Sequence, residues 1–74
     1  MIQEAIAKVH SGDSEVVLDF SSVLRVDADV VGAMEELAGL ADGKSVQVVL
    51  RAVNTDVYRV FKLLKLTRRF TFVT

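Results

Sequence analysis

Few residues in this chain could act on a substrate, and the most suggestive pair is Asp27 and Asp29. They lie in the stretch Leu24-Arg25-Val26-Asp27-Ala28-Asp29-Val30-Val31-Gly32. Two carboxylates this close suit metal ligation or general acid–base work. Either chemistry needs company, and the turn holds no nucleophile, no histidine and no cluster of metal ligands. Capping accounts for both acids. Asp27 is placed to accept from unpaired N–H groups at a helix start, and Asp29 complements the helix dipole in the first turn. Asp19 closes an apolar run, where α/β sheets often bind ligands. It can equally hold the loop at Ser21-Ser22. His10, the single histidine, ends a helical stretch, an ordinary place for a cation. There is no cysteine, which excludes disulfides and thiolate metal sites. No glycine-rich phosphate loop follows an apolar run. Neither catalysis, nor a metal, nor a cofactor is expected; the pattern points to binding.

Charge is unevenly spread behind a net value of −1. Up to Asp42 the only bases are Lys8 and Arg25, set against a majority of acids. From Gly43 onward the only acid is Asp56, and the bases are Lys44, Arg51, Arg59, Lys62, Lys65, Arg68 and Arg69. Such asymmetry steers charged partners or orients self-association, although a run of charge is more often a solvated face. Arg59, Lys62 and Lys65 recur at helical spacing, opposite Phe61 and Leu64. Phosphate binding needs little more than such a stripe. The chain as a whole is slightly acidic, however, and Tyr58 is the only aromatic nearby to stack on a base. Nucleic acid is not the expected partner.

The elements that position these residues alternate. Ile2, Ala5, Ile6 and Val9 share one helical face, and Ser11-Gly12-Asp13-Ser14 ends that helix. Glu15 to Phe20 is a short strand, nearly continuous in apolar character, as a strand covered on both faces would be. Val23 to Val26 extends briefly beyond it. A second helix runs from Ala28 to Ala41, with Val30, Val31, Met34, Leu37, Ala38 and Ala41 as its buried stripe. Gly43 is free to close it with a positive φ. Ser45 to Leu50 is the next strand. Asn54 or Thr55 caps a third helix, Asp56 to Leu66, with Val57, Val60, Phe61 and Leu64 facing inward. Phe70 to Val73 is the last strand. Short connections between alternating elements imply parallel strands joined by right-handed crossovers. The second and third helices should cover one sheet face and the first helix the other.

Seventy-four residues make one small domain, burying about 60% of the unfolded surface. No apolar run approaches the ~20 residues that span a bilayer, and Met1 to Ala5 does not read as a signal peptide. A cytoplasmic, bacterial-type protein without membrane insertion is expected. An exposed sheet edge is a liability at this size, and a homodimer is one way to cover it.

One pattern lies outside the core. Ala28, Gly32, Glu35 and Gly39 recur at i, i+4, i+7 and i+11 beside the buried stripe of the second helix. A glycine inside a helix costs about 1 kcal/mol relative to alanine. Close packing inside the domain would compensate, and so would a docking face for another protein. Both readings stay open at this point.

Val16 to Phe20, then Val26-Asp27, a small-residue turn, Gly32 and the apolar helix resemble the STAS domain. That is the fold of anti-sigma-factor antagonists and of the cytoplasmic tails of sulfate transporters. The likeness continues through Ser45 to Leu50 and the Val53-Asn54-Thr55-Asp56-Val57 turn into the third helix. It spans about Val16 to Val73, and its specificity lies in the order and spacing of short motifs. Asn54-Thr55-Asp56-Val57-Tyr58 is also similar to the STAS subunit of bacterial lipid-transport complexes. The resemblance implies a small α/β fold with a mostly parallel sheet of about three strands and packed helices. It lacks the strands that the family usually places before its first helix.

The resemblance also implies a switch site with its switch removed. In the family an Asp precedes a phosphorylatable Ser or Thr, followed by Ser-Gly. Here Asp27 is kept, Ala28 stands at the phospho-acceptor position, and Asp29 and Val30 replace the next two. Of the pattern's glycines only Gly32 remains. The function it implies is a non-enzymatic protein–protein interaction module of the anti-sigma-factor-antagonist type. Asp27, Ala28, Asp29, Gly32, Glu35, Glu36 and Gly39 would meet the partner, an anti-sigma factor. The alternatives are an accessory subunit of an ABC-type lipid transporter, docking a transporter subunit, and a small ligand- or nucleotide-binding domain.

Overall fold

The computed structural model describes residues 2–73. Its elements run α1 (Ile2–His10), β1 (Glu15–Asp19), α2 (Ala28–Lys44), β2 (Gln47–Arg51), α3 (Thr55–Leu63) and β3 (Thr71–Val73). The strands form one parallel sheet in the order β1-β2-β3. Glu15 aligns with Gln47 and Asp19 with Arg51, and Val49 aligns with Thr71. The chain is thus the small α/β domain with a three-stranded parallel sheet that the alternating pattern predicts.

The strand order decides where the helices go. Two right-handed crossovers moving the same way along a sheet deliver both helices to the same face. On that face Val16, Leu18, Val48 and Leu50 join Met34, Leu37, Ala38 and Ala41 of α2 and Val57 and Phe61 of α3 in one buried cluster. Phe20 packs edge-on against Phe61, with ring centres 6.1 Å apart. Leu66 and Phe70, from the connection after α3, complete the cluster.

The first helix departs from expectation. It packs beside α2 and β1, with Ala5 and Val9 buried in the same core. It does not cover the second sheet face. The far face carries Glu15, Asp19, Gln47, Arg51 and Thr71, all exposed, around Val17, Val49 and Val73. The apolar stripe of α1 is buried in the core on the other face instead. Accordingly β1 is not covered on both sides. Val16 and Leu18 are buried, whereas Val17 is 45% exposed.

Helix ends differ from the sequence reading too. Gly43 does not close α2, which continues to Lys44. Ser45 takes the left-handed conformation (φ 57°), its N–H directed at the carbonyls of Ala41 and Asp42. A non-glycine residue there is strained by about 1–2 kcal/mol. The N–H of Val46 also donates to the Ala41 carbonyl at 2.9 Å, so the last carbonyls are paired. In the same way α3 stops at Leu63, and Lys65 turns left-handed (φ 60°). Leu64 therefore leaves the helical face it was expected to share with Phe61 and is 46% exposed. Lys65 likewise lies outside the helical stripe of Arg59 and Lys62. Val30, Val31 and Val60 are half-buried. Residues 23–26 form no strand.

Candidate functional site

Both strand-to-helix connections open at the same end of the sheet, because parallel strands all point that way. The first connection ends at Asp27, whose backbone is extended (φ −106°, ψ −177°). Its Oδ1 accepts from the Val30 N–H at 2.9 Å, which satisfies one unpaired donor of the helix start. The second connection ends at Asn54, whose Oδ1 accepts from the Val57 N–H at 2.8 Å. The Asn54 Nδ2 then reaches across and donates to the carbonyls of Val23 (3.1 Å) and Leu24 (3.3 Å). One side chain thus caps α3 and fastens the loop that leads into α2. The sequence marks Asn54 as a cap; the tie to a loop some thirty residues away carries no local signal.

The seven site residues read from the sequence are Asp27, Ala28, Asp29, Gly32, Glu35, Glu36 and Gly39, and all are exposed. Ala28 is the first residue of α2. Ala28, Gly32, Glu35 and Gly39 line up along the outer face of the helix, with Glu36 beside them, as their spacing requires. The two glycines settle one open question. Among the described residues, a Cβ at Gly32 or at Gly39 would meet no atom within 4 Å beyond its neighbours and the backbone of its own helix. Close packing inside the domain is therefore not what they serve, and both sit on bare helix surface.

Between the loop before α2 and α3 lies a hollow of about 160 Å³, lined by Leu24, Arg25 and Val26 and by Asp56, Val57 and Val60. Leu24 is 74% exposed at its rim, and Leu63, one helical turn past Val60, is 78% exposed. Neither leucine stands out in the sequence, because the exposure of a single apolar residue cannot be read from its type.

Asp19 lies at the end of β1. Its carboxylate accepts from the Ser21 N–H at 2.8 Å. That bond, with a smaller contribution from the Ser21 side chain and the nearby Arg51, holds its pKa below the ordinary carboxylate value against a modest desolvation. The acid therefore organises the loop at Ser21-Ser22. Among the described residues no group of three His, Cys, Asp or Glu side chains is placed to hold a metal ion. No helix among them is long and apolar enough to cross a membrane.

The family model described as "Mlab, STAS domain" matches residues 1–74. The chain belongs to the STAS domain family. No curated protein matches it. Among solved structures it is similar to a candidate anti-sigma factor antagonist from Thermotoga maritima, with a TM-score of 0.83 and 20% sequence identity. That match covers 99% of this chain and 64% of the Thermotoga chain. The likeness establishes the shared fold, and this STAS domain spans under two thirds of that protein's length.

Proposed function

We propose that this STAS domain is a non-enzymatic protein–protein docking module of the anti-sigma-factor-antagonist type. Its contact surface is the Asp27-Ala28-Asp29 turn together with the outer stripe of α2. The observation that carries this reading is the pair of bare glycines. Each weakens α2 by about 1 kcal/mol relative to alanine, and among the described residues no other element approaches either one within 4 Å. A partner backbone lying close along Gly32 and Gly39 supplies the missing reason. Asp29, Glu35 and Glu36 flank that path and favour a basic partner surface.

Ala28 shapes the regulation. It stands where the family pattern has its phospho-acceptor, and it has no hydroxyl. Docking by this surface is accordingly independent of phosphorylation at that position, a constitutive version of a switched contact.

The test is steric. Gly32→Trp places a large side chain on the docking path and nothing in the fold opposes it. Titrated against the kinase-like anti-sigma factor of the same organism, the variant should lose at least about tenfold in affinity while its circular dichroism stays native. Undiminished binding by a folded Gly32→Trp protein overturns the reading. A second reading, an accessory subunit of an ABC-type lipid transporter, is favoured by the Asn54 to Tyr58 segment. It uses the same surface and is separated from the first by titrating the transporter's ATPase subunit instead.

A further inference from the structure

A second surface lies at the end of the domain opposite the Asp27 turn. Helices α2 and α3 each link parallel strands, so both run back against the sheet and finish where the strands begin. The ion pair between Asp42, in the last turn of α2, and Arg69, after α3, fastens the two ends together. From Val57 onward the chain holds no acid. Lys62, Lys65, Arg68 and Arg69 gather at this end, with Lys44 at the close of α2, and all are exposed. Among the described residues only Arg69 of these is held in an ion pair. The acids of the same end, Asp13 and Glu15, lie at the start of β1, two strands across from β3. They stand near Lys8 and His10 in the last turn of α1.

Two leucines project among these bases. Leu63 is the most exposed large apolar side chain among the described residues, Leu64 follows it, and neither belongs to the buried cluster. The segment that carries them is pinned. Leu66 and Phe70 are buried, and the N–H groups of Lys65, Leu66 and Arg69 donate to the carbonyls of Lys62 (3.1 Å), Phe61 (2.8 Å) and Leu66 (3.0 Å). The leucines are held outward before anything binds, which lowers the ordering cost of a contact. Adjacent aliphatic side chains ringed by bases match an anionic lipid surface. The leucines enter the acyl boundary, while Lys and Arg lay their stems along it and keep their charges at the headgroups. A nucleic-acid strand needs a stacking face, and Tyr58 already packs edge-on against Phe72, with ring centres 5.1 Å apart. An acidic protein surface would be anchored in a hollow, and neither leucine lines the hollow between α3 and the loop before α2.

We propose that the end of the domain formed by Lys62 to Arg68 rests on an anionic bilayer surface, with Leu63 and Leu64 in the interface. The contact is peripheral, and it leaves the Asp27 turn at the far end of the domain clear of the membrane. It does not depend on the docking role given to α2.

The probe is co-sedimentation of the whole chain with vesicles of phosphatidylcholine and phosphatidylserine, against vesicles of phosphatidylcholine alone. The protein should sediment with the anionic vesicles and stay in solution with the neutral ones. Lys65→Gln/Arg68→Gln removes two bases and should weaken binding about thirtyfold. Leu63→Ser, at a side chain outside the core, should weaken it about threefold and leave the circular dichroism native. Raised salt should release the protein, because the attraction is screened. Spin-labelled lipid in the anionic vesicles should broaden the amides of Lys62 to Arg68 and leave Asp27 to Gly32 sharp. Failure to sediment with anionic vesicles, equal sedimentation with neutral ones, or unchanged binding by Leu63→Ser would overturn the proposal. So would broadening centred on another part of the domain. An oligonucleotide or an oligoglutamate peptide that binds Lys62 to Arg68 more tightly than the vesicles do would also overturn it, giving this end to nucleic acid or to an acidic protein.

Discussion

At the scale of single residues, Asn54 and Asp19 hold the working end of the sheet in shape. Asn54 caps α3 with its oxygen and ties residues 23–24 with its nitrogen. Asn54→Ala should cost about 2 kcal/mol in urea unfolding, about 1 from the cap and the rest from carbonyls left without their partner. Asn54→Asp keeps the cap and loses the tie, so it should cost about half as much. It should also speed amide exchange near Leu24; equal losses for the two variants would show that the tie contributes nothing. Asp19 predicts a pH effect of definite sign. Its folded pKa is lowered, so its contribution to stability is complete above the ordinary carboxylate range. That contribution is lost as pH falls through the lowered value. Asp19→Asn should therefore flatten the dependence of the urea midpoint on pH below about pH 4. An unchanged slope would contradict the bond to Ser21. Both acids of the opening turn were open to a catalytic reading from their types alone. The bond from Val30 to Asp27 resolves that acid as a cap, and Asp29 stands exposed in the first turn.

At the scale of the element, α2 combines a well-filled inner face with an outer face that is weaker than it needs to be. Met34, Leu37, Ala38 and Ala41 are buried, and their spacing made that face readable in advance. The outer glycines were readable as an anomaly, but their cause was not, because sequence spacing does not report whether a neighbour exists. Space around both positions predicts that alanine is accepted. Gly32→Ala and Gly39→Ala should each add about 1 kcal/mol and raise the melting temperature by ~4–8 °C. A fall in melting temperature would mean that the helix needs its glycines for internal reasons. Helix ends were the least legible part of the elements. Ser45 and Lys65 adopt left-handed geometry that glycine would take more easily, so the usual stop signal was misplaced for α2 and absent for α3. The spacing that points Leu64 to the core ends one residue before it, where α3 stops at Leu63.

At the scale of the whole molecule, alternating elements with short links determined the parallel sheet, and they were enough to read the α/β class and the strand count. The side occupied by α1 was not legible. The apolar face of α1 is read from its spacing, but the elements it meets emerge only when α2 and β1 are packed together, with Ala5 and Val9 in the shared core. The result is a two-layer STAS domain whose exposed regions include the α2 stripe and the cationic end beyond α3. The central claim is that the first of these is where the partner docks. The most direct test is amide chemical-shift mapping of nitrogen-labelled protein titrated with the anti-sigma factor proposed as its partner. The account predicts that Asp29, Gly32, Glu35, Glu36 and Gly39 shift or broaden together, with β1 and the end of α3 unmoved. Perturbations clustered on β1 or on Leu63 to Arg69, with the α2 stripe silent, would contradict it.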